Sequence, residues 1–198
     1  VEADIVIGVP DSGLDAAIGY ARESGIPYGI GFLKNKYIGR TFIAPGQDVR
    51  EDKVKIKLNP VSATVKGKRV VLVDDSIVRG TQLKETVDFL YDNGAKAVHM
   101  RSACPPIMYG CKYLAFSRST SDMDLIARRV IMELEGEEGF NHIEEYSDGT
   151  TERGKKLRST ISKKFNFASL DFQSLEGIIK AIGIDPCKLC TYCWNGKE

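Results

Sequence analysis

The sequence predicts an α/β fold, a mostly parallel sheet flanked by helices, and three observations lead there. Ile5-Val6-Ile7-Gly8-Val9 and Val70-Val71-Leu72-Val73 are short continuous apolar runs, the pattern of strands buried on both faces. Each is followed by a glycine-containing loop and then by apolar residues at helical spacing. The alternation of strand, loop and helix then repeats along the chain, as a parallel sheet with crossover helices requires.

Taken in order, Pro10-Asp11-Ser12-Gly13 forms a turn after the first strand and offers capping side chains to the helix that follows. Leu14, Ala17, Ile18 and Ala21 give that helix its apolar stripe, and Gly25 stops it. Ile26 to Leu33 reads as the next strand and completes a β-α-β unit. Val70 to Val73 ends in the pair Asp74-Asp75, a loop runs to Thr81, and the next helix carries Leu83, Val87 and Leu90 before Asn93-Gly94. Ala97 to Ala103 is a further strand, and Met123, Ile126, Ala127, Val130 and Leu134 make a further helical stripe.

Two segments break the pattern. Asn35 to Pro60 has little periodicity, is interrupted by Gly39, Pro45-Gly46 and Pro60, and is rich in basic side chains. A connection of that length is usually a functional lid or a disordered loop, and residues 34–60 are read as a flexible lid region. Residues 137–164 hold 12 charged side chains among 28, acids first and bases second, with Asp148-Gly149 as a hairpin-type turn. This stretch reads as a solvated charged insertion. No internal repeat or low-complexity tract is present.

Composition narrows the class. A length of 198 residues suits one domain with a small appendage, here 1–183 followed by a Cys-rich tail at 184–198. Lys and Arg total 28 against 27 Asp and Glu, so a protein whose partner is bulk nucleic acid or an acidic membrane is not expected. No apolar run approaches the roughly 20 residues of a membrane span. The start, Val1-Glu2-Ala3-Asp4, is acidic where a secretory leader is basic, so a cytoplasmic location is expected. Val1 also stands almost directly on a strand, which suggests a piece of something longer. Five cysteines, three of them within the last dozen residues, do not form a disulfide framework and fit a reducing compartment with a metal cluster.

The most informative stretch is Val70-Val-Leu-Val-Asp-Asp-Ser-Ile-Val-Arg-Gly-Thr81. An apolar strand delivers two adjacent carboxylates to its carboxyl end, the edge where open α/β sheets bind ligands. The helix start beyond supplies unpaired N–H groups and a partial positive charge suited to a phosphate. Ser76, Arg79 and Thr81 add donors, and Gly80 lets the backbone approach closely. Asp74 and Asp75 can accept hydrogen bonds from sugar hydroxyls or help hold Mg²⁺, which prefers oxygen ligands and phosphate-rich partners. The bland alternative is that the two acids merely cap a strand end.

These residues resemble the 5-phosphoribosyl-1-pyrophosphate (PRPP) motif of type I phosphoribosyltransferases. Asp74-Asp-Ser-Ile-Val-Arg-Gly-Thr81 is similar in particular to the version found in amidophosphoribosyltransferases. Gly8-Val-Pro-Asp-Ser-Gly13 resembles that family's pyrophosphate loop, Lys34 to Gln47 its flexible loop, and Ser174-Leu-Glu-Gly-Ile178 a segment near its carboxyl end. The likeness runs from about Ala3 to Arg128 and resumes near Lys163; the charged stretch between is longer than the family leads one to expect. Some members carry a metal-contacting Ser where this chain has Gly13, which offers only a backbone N–H.

The resemblance implies a type I phosphoribosyltransferase fold. It implies displacement of pyrophosphate from C1 of PRPP by ammonia, giving 5-phosphoribosylamine in the first step of purine synthesis. Pro10, Asp11, Ser12 and Gly13 would hold the pyrophosphate with Mg²⁺. Asp74 and Asp75 would fix the ribose and contact the metal, and Ser76, Ile77, Val78, Arg79, Gly80 and Thr81 would hold the 5-phosphate. Lys36 or Arg40 would reach the pyrophosphate from the closing lid, and Phe42 would shield an ammonia passage. The family's glutaminase domain has no counterpart in these residues, so ammonia-dependent activity is the expectation. Homo-oligomerisation and purine nucleotide inhibitors are implied partners. The competing expectation is a non-catalytic module of the same fold that senses PRPP or nucleotides.

Cys187-x-x-Cys190-x-x-Cys193 is a metal signal in its own right, since thiolates select Zn²⁺ or iron–sulfur chemistry over Mg²⁺; plain thiols are the alternative. One class of amidophosphoribosyltransferases carries a [4Fe–4S] cluster, and the resemblance implies Cys111, Cys190 and Cys193 as ligands, with Cys187 a bystander or a fourth. Cys104 reads as a small buried residue. His99, His142, Phe172, Tyr192 and Trp194 read as packing or surface residues.

Overall fold

The mostly parallel sheet forms as expected and brings the candidate site residues to one edge. The computed structural model describes residues 1–34, 58–113 and 121–197. Four parallel strands lie in the order β1 (Ile5–Gly8), β4 (Arg69–Asp74), β5 (Ala97–Ser102) and β6 (Ser169–Phe172). Alternation along β1 and β4 sends Ile5, Ile7, Val70 and Leu72 to one face and Val6, Val71 and Val73 to the other. Ala17 and Ala21 of α1 (Leu14–Ser24) cover the second face. Gly25, at φ 72°, ends α1 by donating to the Ala21 carbonyl. The first face is covered by α3 (Thr81–Asp92), whose Leu83, Val87 and Leu90 are buried as their spacing predicts, and by α4 (Ile126–Glu135).

The strand expected over Ile26 to Leu33 is much reduced. Tyr28 makes a single parallel bridge to Val6, and only Phe32–Lys34 (β2) is a strand, paired antiparallel with Leu58–Pro60 (β3). Pro27 cannot donate to a ladder, and Gly29 and Gly31 favour no extended state, which explains the interruption. A short α2 (Ser62–Val65) follows. In α4, Ile131 is buried where Leu134 was expected, and Met123 lies in a preceding 3₁₀ turn, Asp122–Asp124. The helix therefore starts later than expected, while Ile126, Ala127 and Val130 are buried as their spacing predicts.

The largest correction concerns residues 137–164. They form a 3₁₀ segment (Gly136–His142), α5 (Ile143–Ser147) and most of α6 (Glu152–Phe165), joined through Asp148-Gly149, which turns between helices and not between strands. Ile143, Tyr146, Leu157, Ile161 and Phe165 all lie in the main core. Leu157, Ile161 and Phe165 stand four apart, one buried stripe on a helix whose other faces carry the charges. Thr151 caps α6 by accepting from the Gly154 N–H at 3.0 Å, and Asn166, at φ 57°, ends it. Charge count concealed an amphipathic helix.

The tail continues through α7 (Leu175–Ile182), capped by Ser174, and a turn at Pro186–Lys188 to α8 (Tyr192–Asn195). No described helix is long and apolar enough to cross a membrane. Because Leu157 is fully buried, Leu157→Ala should cost about 3 kcal/mol in urea unfolding. A side chain on a solvated insertion would cost under about 0.5 kcal/mol.

Candidate active site

Parallel pairing of β1 with β4 brings two loops to one sheet edge. The register sets Gly8 beside Val73, and the Val9 N–H donates to the Val73 carbonyl at 2.9 Å. The chain then turns through Pro10, Asp11 and Ser12, with a cis peptide between Pro10 and Asp11, and Gly13 closes the turn by donating to the Val9 carbonyl. A Cβ on Gly13 would lie 2.5 Å from the Val73 carbonyl oxygen and 3.0 Å from the Asp74 Cα. Glycine is therefore what allows this loop to lie against the acidic pair, and a Ser side chain has no room without a backbone shift. Asp11 and Ser12 are exposed, and Asp11 is ion-paired with Lys34, which no sequence pattern indicated.

At the end of β4, Asp75 is exposed and Asp74 half-buried. The Asp75 N–H donates to Asp74 Oδ1 at 2.9 Å, and the Ala103 N–H donates to the Asp74 carbonyl at 2.9 Å. Burial first, and then the neighbouring Asp75 carboxylate, push Asp74 up to about 8. Asp74 therefore holds its proton near neutrality, and no ion pair to it is formed among the described residues.

The residues after the pair divide into two sets. Ile77 is buried in the main core and Val78 packs against the Cys104, Ile107 and Leu125 cluster, so these two can offer a ligand only backbone groups. Ser76 is half-buried, whereas Arg79 and Thr81 are exposed. Gly80, at φ 81°, precedes α3 without any side-chain cap, leaving the first N–H groups of a 12-residue helix open to an anion. A Cβ on Gly80 would come within 2.2 Å of the Phe165 ring, so the end of α6 supports the loop from below. α4 holds it laterally: the Ile126 N–H donates to the Val78 carbonyl at 2.9 Å, and Arg129 Nη2 to the Arg79 carbonyl at 2.6 Å. The helical spacing of Leu157, Ile161 and Phe165 could have revealed Phe165; nothing in the sequence pointed to Arg129. Lys36, Arg40 and Phe42 lie outside the described residues.

The chain matches the Phosphoribosyl transferase domain family over residues 2–106. It belongs to that family. It is 42% identical over 194 residues to the amidophosphoribosyltransferase of Methanothermobacter thermautotrophicus, covering 98% of this chain and 35% of that protein. It is 42% identical over 201 residues to that of Bacillus subtilis, covering 100% of this chain and 36% of the relative. The chain thus spans about a third of the length of these relatives. Among solved structures it is similar to one described as the allosteric regulatory enzyme of purine biosynthesis, with TM-score 0.74, 40% identity, and coverage of 100% of this chain and 37% of the other. It is also similar to glutamine PRPP amidotransferase from B. subtilis complexed with ADP and GMP, with TM-score 0.72, 39% identity, and coverage of 100% and 38%.

A second set of candidate side chains lies near the tail. The Cys193 carbonyl accepts from the N–H groups of Met108 (2.8 Å) and Tyr109 (3.1 Å), and Tyr113 N–H donates to Cys111 Sγ at 3.4 Å. Burial, then the Cys111 thiol and more weakly that of Cys190, push Cys193 up. Cys187 is exposed on the 3₁₀ turn. Cys104 is buried, its thiol pushed up to about 11 by that burial, and Trp194 packs on its cluster. His99 Nδ1 lies 2.9 Å from Ser169 Oγ and His142 Nδ1 3.0 Å from Glu145, structural contacts in both cases.

Two donor sets can be tested for the metals this family implies. The carboxylates of Asp74 and Asp75 fit Mg²⁺ in kind, since Mg²⁺ takes one or two carboxylates and completes its shell with water and substrate phosphates. The thiols of Cys111, Cys190 and Cys193 fit a soft metal in kind. Among the described residues, however, no group of three or more His, Cys, Asp or Glu is gathered as a closed cage.

Two outcomes follow. Gly80→Ala should lower stability by about 1–3 kcal/mol, through the clash with Phe165 and the positive φ, and weaken anion binding at α3. Because Asp74 is raised in the folded state, it binds more protons there than in the unfolded chain between about pH 4 and pH 8. Its contribution to stability therefore falls as pH rises through that window. Asp74→Asn should raise the melting temperature at pH 8 and leave it nearly unchanged at pH 4, as differential scanning calorimetry would show.

Proposed function

We propose that this chain is the phosphoribosyl-transfer portion of a glutamine amidophosphoribosyltransferase, with PRPP and ammonia as substrates. The observation that carries the reading is the meeting of the Pro10–Gly13 loop, the Asp74-Asp75 pair and the uncapped start of α3 at one sheet edge. That spacing suits a molecule with a phosphate at one end, a diol in the middle and a pyrophosphate at the other.

In this reading the backbone of Ser76 to Thr81 and the N-terminus of α3 take the 5-phosphate, with Arg79 and Thr81 adding side-chain donors. Asp75 and Asp74 accept hydrogen bonds from the ribose hydroxyls, and their negative potential favours the positive charge that grows on the ring. The Pro10–Gly13 backbone takes the pyrophosphate. Lys36 and Arg40 are proposed to approach from 34–60, and Phe42 to exclude water. The nitrogen lone pair of ammonia forms the bond to C1 while the C1–O bond to pyrophosphate breaks, its electron pair leaving with pyrophosphate; the new ammonium group then gives a proton to solvent. Mg²⁺ held with Asp74 and Asp75 supplies charge neutralisation of the leaving group when bound. Ammonia itself is proposed to come from a glutaminase domain of the full-length protein, working as a homo-oligomer.

Two partner readings accompany this. The B. subtilis relative is described with ADP and GMP bound. Here a cavity of about 370 Å³ beside the loop is lined by Arg79, Thr81, Lys84 and Arg129, with Lys164 paired to Glu133 at 2.6 Å, and its basic side chains are proposed to meet the phosphates of a purine nucleotide inhibitor. Cys111, Cys190 and Cys193 are proposed as ligands of a [4Fe–4S] cluster, with Cys187 a candidate fourth; the cluster would pin the tail to the body of the domain. Stoichiometric zinc without iron in anaerobically purified protein would overturn that assignment.

The test of the main reading is pyrophosphate release from PRPP with magnesium and high ammonia, compared with adenine, guanine, hypoxanthine or orotate as acceptors. Release with ammonia alone is expected, and Asp75→Asn should lower it by about 100-fold or more. Tight PRPP binding without release would favour the sensing module instead. Binding of PRPP with magnesium, measured by calorimetry, should strengthen as pH rises towards about 8, where Asp74 gives up its proton.

A further inference from the structure

We propose that Arg128 and residues 136–147 form a brace that positions the thiol-bearing tail beside Cys111, with Arg128 as its positioning residue. The proposal deepens the reading of the thiols given above and rests on it for its purpose, although the brace itself stands on separate contacts.

Arg128 is a charged side chain only 7% exposed. A buried guanidinium is costly unless it is well partnered. Its nearest carboxylate, Asp122, is 3.6 Å away and half-exposed, a weak counter-ion. What holds it instead is the Met108 carbonyl, which accepts from Nε at 2.6 Å, and two aromatic faces. The guanidinium carbon lies 4.7 Å from the centre of the Tyr109 ring and 4.9 Å from that of Phe140. Arg128 is thus clamped between the 108–109 segment and the 3₁₀ segment that opens 136–147.

Those same two residues, Met108 and Tyr109, carry the N–H groups that hold the Cys193 carbonyl. The Tyr109 ring lies 5.6 Å from that of Tyr192, and Lys112 Nζ sits 4.2 Å from the centre of the Tyr192 ring. α5 packs against α8, and Lys197 Nζ reaches Glu144 at 3.3 Å. The path runs from Phe140 through Arg128 to Tyr109, and from there to Tyr192 and Cys193. Cys111 is two residues beyond Tyr109 on the same segment. Arg128 contacts none of the thiols, and its effect on them goes through Met108 and Tyr109.

The test uses the full chain with Arg128→Met, with Arg128→Lys as the variant that keeps the cation over the rings, and with Phe140→Leu as the milder change. Hydrogen–deuterium exchange and iodoacetamide alkylation of Cys193 are followed in metal-free protein, and iron and sulfide are counted after anaerobic reconstitution. In Arg128→Met, the amides of α8 and the Gly196 N–H should exchange about tenfold faster, and Cys193 should alkylate faster by a similar factor, with β4 and β5 unchanged. Phe140→Leu should move the tail in the same direction by less, and Arg128→Lys should retain more protection than the Met variant. Tail exchange and alkylation unchanged in Arg128→Met and Phe140→Leu would overturn the brace, as would an equal loss of protection in β4, β5 and the tail of Phe140→Leu. If Arg128→Met does not fold, Phe140→Leu decides alone. Wild-type protein that takes up no iron removes the cluster reading, while the exchange data still decide the brace.

Discussion

The parallel pairing of β1 with β4 is the constraint on which the rest depends. Because Gly8 stands beside Val73, the loops leaving the two strands emerge at the same edge and at the same level. The closeness that results is backbone to backbone: the Gly13 position touches the Val73 carbonyl and the Asp74 Cα, with no space for a side chain between them. A one-residue slip in this register would exchange the two faces of β4, taking Val71 and Val73 away from α1. It would also separate the Pro10–Gly13 loop from the acidic pair. The apolar faces thus fix the register, and the register brings the two loops together.

The same edge concentrates an electrostatic conflict. A half-buried Asp74 next to Asp75 raises its own proton affinity, so ionising both costs the folded chain stability. Residues selected only for stability would not be placed this way, whereas a site awaiting a cation and hydroxyl donors would. The start of α3 is the complementary case, with N–H groups and partial positive charge that no side chain among the described residues caps. Carboxylates and uncapped helix N–H groups thus lie one loop apart, the charge layout that the proposed phosphorylated sugar and its metal call for.

Much of this was legible in the sequence because it rests on local chemistry. Continuous apolar runs marked β1 and β4, helical spacing marked α1 and α3, and the acidic pair before Gly80-Thr81 marked the carboxyl end of β4. Those signals depend on residues near one another in the chain. What could not be read depends on distant partners. The Ile26–Leu33 strand was interrupted by Pro27 and two glycines, whose effect on pairing was outweighed in the reading by the apolar residues around them. Ile77 and Val78 sit within the binding motif, yet their side chains serve the core, a division that only the packing of α4 and α6 decides. Arg128 and Arg129 look alike in sequence. One is buried between two rings and the other holds a loop carbonyl, because they lie on different sides of α4.

The stretch that charge count makes look like a solvated insertion packs against both candidate regions. At its far end Phe165 fills the space under Gly80, so the shape of the loop after Asp75 depends on α6 being docked. At its near end Phe140 covers Arg128 and Glu144 meets Lys197 in the tail. Between them Tyr146, Leu157 and Ile161 are fully buried, so the two ends move as one packed unit rather than as independent loops. Phe165, Leu157 and Ile161 of α6 and Tyr146 of α5 thus belong to one core cluster against which Tyr109 and Phe140, the two rings around Arg128, are also packed.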